Sequence, residues 1–115
     1  MSKEIAKIIN RQINSGSDAS GKNSGLRVVG CWGVEQRVII EREAGKHSGG
    51  LKLIVNGRFH TGIVNIYLVG DLYTIEFVKN GKVVYTTEDI YCESLTMIID
   101  SYIESNQMRH HGEAA

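Results

Sequence analysis

The stretch IVNIYLVGDLYTIEFVKNGKVVYTT, residues 63–87, decides the fold. Its apolar residues recur every second position, the period of a strand with one covered face. Val64, Ile66 and Leu68 share a face; so do Tyr73, Ile75 and Phe77, with Thr74 and Glu76 opposite. Gly70-Asp71 and Asn80-Gly81 interrupt the alternation. Gly70-Asp71 suits a two-residue type II′ turn, and Asn-Gly is the strongest short hairpin signal. Ile63–Val69, Leu72–Val78 and Lys82–Thr87 are therefore sequential antiparallel strands.

Upstream, Leu51–Val55 reads as another strand, followed by the hairpin signal Asn56-Gly57 and a short return strand at Arg58–His60. Leu26–Val29 and Val34–Ile40 read as strands too, with Gly30 and Gly33 bending the chain around Cys31-Trp32. At the N-terminal end the period changes. Ile5, Ile8, Ile9 and Ile13 form the apolar stripe of a helix over 3–14, with Lys3, Lys7 and Arg11 on another side. At the other end Ile90, Tyr91, Leu95, Ile98, Ile99, Tyr102 and Ile103 predict a helix over 88–107, capped by Thr87 or Asp89. Residues 15–25 read as a flexible loop, 43–50 as a second Gly-rich loop and 108–115 as a tail. The expectation is one α+β domain over 1–115: an antiparallel meander of five or six strands with an N-terminal and a C-terminal helix on one face. A small closed barrel with flanking helices is the alternative.

Composition narrows the function classes. The 115 residues carry 13 basic and 13 acidic side chains, which argues against a whole-surface attraction for polyanions or lipid. There is no proline, so no ring blunts a sheet edge. Cys31 and Cys92 are too few for a disulfide framework, and no apolar run reaches membrane length. The N-terminal residues lack the apolar core of a signal peptide, so the expected compartment is the cytoplasm.

Residues 16–23, GSDASGKN, fit the phosphate-binding pattern G-x-x-x-x-G-K-[ST] except at the last place, where Ser24 is adjacent. Gly16, Gly21, Lys22 and Ser24 are the candidate phosphate ligands of this reading. Residues 65–71 end an apolar strand near an acid, a faint second echo. The context opposes the motif, which needs a strand before it, a helix after it and a parallel sheet that tight hairpins exclude. A flexible Gly/Ser linker is the plainer reading. Residues 45–50, GKHSGG, are a second loop able in principle to offer backbone amides to an anion.

Cys31, Cys92, His47, His60, His110 and His111 show no paired metal-ligand spacing, and no metal or other cofactor is expected. Neither cysteine stands in the context of a catalytic nucleophile. Glu41 and Glu43 flank Arg42 at a strand end, as a solvated edge would. Tyr67 and Tyr85 are expected on the outer sheet face; no Lys or Arg accompanies them between Ile63 and Val78, so base stacking is set aside.

Charge cancels globally but not locally. Residues 1–50 hold eight basic and five acidic side chains, and residues 51–115 hold five and eight. The expected C-terminal helix carries Glu88, Asp89, Glu93, Asp100 and Glu104 with no base. One reading makes this a solvated face. The other makes Glu93, Asp100 and Glu104 the contact for a basic, nucleic-acid-binding partner.

Residues 70–77 (GDLYTIEF), 88–91 (EDIY) and 99–104 (IDSYIE) resemble small uncharacterised proteins of bacterial phages and mobile elements. That resemblance covers under half the chain and carries no catalytic motif. It implies a compact binder, such as an inhibitor of a host defence nuclease. The functional expectation is thus a non-enzymatic protein-binding module of the cytoplasm with a protein partner. The alternatives are a nucleotide or phosphate-ligand protein using the Gly16–Asn23 loop, and a structural homo-oligomer pairing through its uncovered edges.

Overall fold

The computed structural model describes residues 2–16 and 25–104. Helix α1 (Ser2–Ser15) and helix α2 (Gly25–Cys31) precede strands β1 (Val34–Ile40), β2 (Gly50–Asn56), β3 (Thr61–Val69), β4 (Leu72–Lys79) and β5 (Lys82–Ile90). A single 3₁₀ turn (Cys92–Ser94) leads into helix α3 (Leu95–Glu104). The strands form one antiparallel meander in the order β1-β2-β3-β4-β5, as the period-two reading requires. Asn80 and Gly81 both carry positive φ, 54° and 78°, the backbone of a type I′ hairpin. The sheet is open, with β1 and β5 at its edges.

Pairing of Leu53 with Val64, Val64 with Phe77, and Phe77 with Tyr85 puts these side chains on one face. The helices cover that face. Ile9 and Ile13 of α1, Trp32 after α2, and Leu95, Ile99 and Ile103 of α3 are all fully buried there. Burying each such side chain is worth roughly 1.5–3 kcal/mol, so this layer carries the stability of the domain. Phe77 stacks on Tyr102 at 3.9 Å between ring centroids, with Tyr85 stacked on the other ring at 5.2 Å.

Four local expectations are corrected. Leu26–Val29 lies in helix α2, not in a strand, and buries Val28 and Val29. Arg58–His60 adds no strand: Gly57 N–H closes onto the His60 carbonyl, and Phe59 N–H donates to the Ile103 carbonyl at the end of α3. The C-terminal helix starts at Leu95 rather than at residue 88. Asp89 has φ +58°, which no helix tolerates, and Ile90 pairs with Tyr73 in the sheet. Tyr85 lies on the helix-covered face. Its parity is reversed by a bulge between the Val78–Val83 and Phe77–Tyr85 pairs.

Bulges do at the edges what proline would have done. One interrupts β1 between Val34 and Gln36, and two interrupt β5. No helix among the described residues is long and apolar enough to cross a membrane.

Candidate functional site

The outer sheet face is not bare. β1 and β2 are joined by residues 41–49, and this connection folds back over β3. A tight turn closes it: the N–H groups of Lys46 and His47 donate to the Glu43 carbonyl, and Glu43 N–H returns to the His47 carbonyl. Ser48 N–H then donates to the Leu68 carbonyl, and Leu68 N–H to the Gly49 carbonyl. His47 is thereby laid on Tyr67, with ring centroids 4.5 Å apart and planes tilted by 32°. Gly49 N–H donates to His47 Nδ1 at 3.1 Å, which leaves the ring proton on Nε2. Four amides that this loop could offer an anion, those of Lys46, His47, Ser48 and Gly49, are consequently engaged.

Between the loop and strands β3–β5 lies a cleft of ≈ 450 Å³. This volume falls within the usual range for ligand-binding pockets. Tyr67 and Glu76 line its sheet side, Val69 and Leu72 its apolar end, and Glu88 and Asp89 its β5 side. The two β5 acids are side by side because a bulge sets both against the single residue Thr74, between the Tyr73–Ile90 and Ile75–Thr87 pairs.

Tyr67 donates its hydroxyl to Glu76 Oε1 at 2.9 Å, and Asn65 Nδ2 donates to the same oxygen at 3.4 Å. Asn65 is only 9% exposed, and its Oδ1 has no partner among the described residues. Lys46 pairs with Glu43 at 2.9 Å; the contact lowers the Glu43 pKa and raises that of Lys46. Glu76, Glu88 and Asp89 therefore remain uncompensated by any cation among the cleft residues.

Burial, then the hydrogen bond and charge of Glu76, push the Tyr67 phenol up to about 12. The folded protein thus holds this proton more tightly than an unfolded chain, whose tyrosines titrate near 10. The associated stability is complete below about pH 10 and is lost as pH rises through about 12. In an alkaline titration followed at 295 nm, we expect Tyr67→Phe to remove a late-ionising tyrosine. An unchanged late phase in that variant would contradict the arrangement.

The acids singled out from the sequence lie elsewhere. Asp100 is half-buried and accepts the Trp32 Nε1 hydrogen at 3.0 Å. Glu104 Oε2 accepts the Arg58 backbone N–H at 2.9 Å. Of the three, Glu93 alone is exposed, in the 3₁₀ turn. The structure brings none of the three into the cleft, and two of them brace internal structure. We expect Asp100→Ala to lose about 1–3 kcal/mol in urea unfolding, since it strands the buried indole N–H. Asp100→Asn, which keeps an acceptor, should lose less.

Of the candidate phosphate residues, Gly21, Lys22 and Ser24 lie outside the described residues, as do residues 17–24 of the expected loop and the tail. Gly16 is described. It follows the C-terminus of α1, the end of a helix that disfavours anions. A side chain there would overlap Thr96, whose hydroxyl donates to the Ile13 carbonyl at 2.8 Å. Glycine at 16 is therefore explained by the docking of α1 on α3. No strand precedes the motif, and the segment after it is helical.

Cys31 and Cys92 are free and exposed. Among the described residues no group of three His, Cys, Asp or Glu side chains can hold a metal ion. The cleft was partly signalled in the sequence, because alternation puts Tyr67 and Glu76 outward on neighbouring strands. No family model matches the chain, and no curated protein or solved structure matches it either.

Proposed function

We propose that this protein is a small non-enzymatic binding module of the cytoplasm that engages a basic partner protein through the acidic cleft on its outer sheet face. One observation carries the reading: a concave site of ≈ 450 Å³ in which Glu76, Glu88 and Asp89 have no compensating cation among the described residues. Acidic surfaces steer and select basic partners, and a wrong-signed partner is repelled. Two exposed unbridged cysteines suit a reducing compartment. Basic clefts are typical of nucleic-acid-binding proteins. A module of this charge would compete with nucleic acid for such a surface. The resemblance to phage and mobile-element proteins supports the same role, inhibition of a host defence nuclease.

The test is binding of a basic decapeptide by fluorescence anisotropy across salt concentrations. Replacing Glu88 and Asp89 together by Lys should weaken binding about tenfold, near 1.4 kcal/mol, and flatten its salt dependence. Unchanged affinity would remove the cleft as the binding surface. The same double substitution at Glu93 and Glu104 should leave affinity within about twofold, because neither acid lines the cleft.

A further inference from the structure

Resting on that reading, we infer that the cleft is shaped to receive an arginine side chain of the partner, with its guanidinium on Glu76 and its plane along the His47–Tyr67 rings.

Glu76 is a prepared acceptor. Its Oε1 is held by the Tyr67 hydroxyl and by Asn65 Nδ2, so the carboxylate cannot turn freely. Its Oε2 has no hydrogen bond among the described residues and remains available to a donor. A carboxylate fixed by neighbours has lost less freedom to lose on binding, which is the advantage of preorganisation.

The rings favour a planar cation. Guanidinium groups stack on aromatic faces and are less strongly hydrated than an ammonium, so they lose less on entering a half-buried site. His47 and Tyr67 present such a surface, at 4.5 Å from each other and tilted by 32°. Glu88 and Asp89 stand on the β5 side, so acceptors surround the cleft rather than cluster at one point. Five donors spread in a plane match acceptors placed around a cleft; a compact ammonium does not. Val69 and Leu72 offer apolar surface to the methylene stem. Lys46, the one lysine of the lining, is already held by Glu43 and leaves the carboxylates to an incoming cation.

The experiment uses two decapeptides identical except that every Arg in one is Lys in the other, titrated into ¹⁵N-labelled protein. We expect the Arg peptide to bind at least about fivefold tighter and to shift the amides of Tyr67, Glu76 and Asp89. Glu76→Gln should abolish the preference, with the amide shifts of Leu53 and Phe77 on the opposite face reporting an intact fold. Tyr67→Phe, which removes the shorter of the two hydrogen bonds to Glu76 Oε1 without changing charge, should reduce the preference. Equal affinity for both peptides would overturn this inference and leave the binding-module reading standing. Binding of neither would overturn both. A preference that survives Glu76→Gln would overturn the placement. Amide shifts at the cleft that follow protein concentration without peptide would assign it to a second copy of the chain, and would also overturn the inference.

Discussion

Gly50→Ala is expected to cost about 3 kcal/mol or more of folding stability. Gly50 opens β2 opposite Tyr67, and a methyl group there would overlap the Ile66 carbonyl oxygen. The obstacle is backbone, so no rotamer change can relieve it. Ile66 is itself fully buried and paired on both sides, to Leu51 and to Ile75. Relief must come from lifting residues 48–50 away from β3. That movement breaks the Ser48-to-Leu68 and Leu68-to-Gly49 hydrogen bonds, 2.8 and 2.9 Å long. It also lifts His47 from Tyr67 and opens the cleft. A domain of this length has a total stability of about 5–15 kcal/mol, so the loss is a large share. Urea unfolding followed through Trp32, the single tryptophan, reads it directly. Gly45→Ala is the comparison. Its φ of +83° brings backbone strain of about 1–2 kcal/mol, yet a methyl group there meets nothing within 4 Å. If the two variants unfold at the same urea concentration, the close approach at Gly50 is not what fixes the loop.

The sequence was legible where the signal was local. Alternation over 63–87 and the turn pairs Gly70-Asp71 and Asn80-Gly81 need no tertiary partner to be read, and the strands they predict are present. The helix of α1 was legible for the same reason, through its 3.6-residue stripe. Leu26–Val29 failed because four residues, three of them apolar, are too few to show a period. The start of the last helix failed because Ile90 and Tyr91 extend the helical spacing by coincidence. Ile90 is buried in the sheet, whereas Tyr91 is 62% exposed. Tyr85 failed because a one-residue bulge reverses every parity beyond it.

The site was harder to read, for a related reason. Asp100 and Glu104 looked like a free acidic stripe, but their partners Trp32 and Arg58 lie 68 and 46 residues away in sequence. Glu76, Glu88 and Asp89 become one site only when residues 41–49 fold over β3 and a bulge brings the β5 acids to Thr74. Helical periodicity had assigned Glu88 and Asp89 to the wrong element. The acidic character was therefore visible in the composition of residues 51–115, while its location depended on long-range packing.

Phe77→Ala is expected to lose about 3–5 kcal/mol while leaving the arginine preference of the folded protein intact. Phe77 is fully buried in β4, one residue from Glu76, and faces the helices. Its ring stacks on Tyr102 at 3.9 Å, meets His60 edge-on at 5.5 Å and lies 6.0 Å from Tyr85. Truncation removes a ring that, like Tyr102, meets every other member of this cluster. The cavity it leaves is bounded by the β-sheet backbone on one side and by α3 on the other, so collapse into it is limited. Phe77→Leu should cost much less, about 1 kcal/mol, because most of the volume is kept and only ring stacking is lost. Glu76→Gln should show the converse pattern: small loss in urea unfolding, and loss of discrimination between Arg and Lys peptides. Successive residues of one strand point to opposite faces, which is why the two effects separate. If Phe77→Ala, measured at low temperature where it remains folded, binds the two peptides equally, the outer face depends on inner-face packing. If instead it unfolds at the parental urea concentration, the aromatic cluster is not the stabilising centre of the domain.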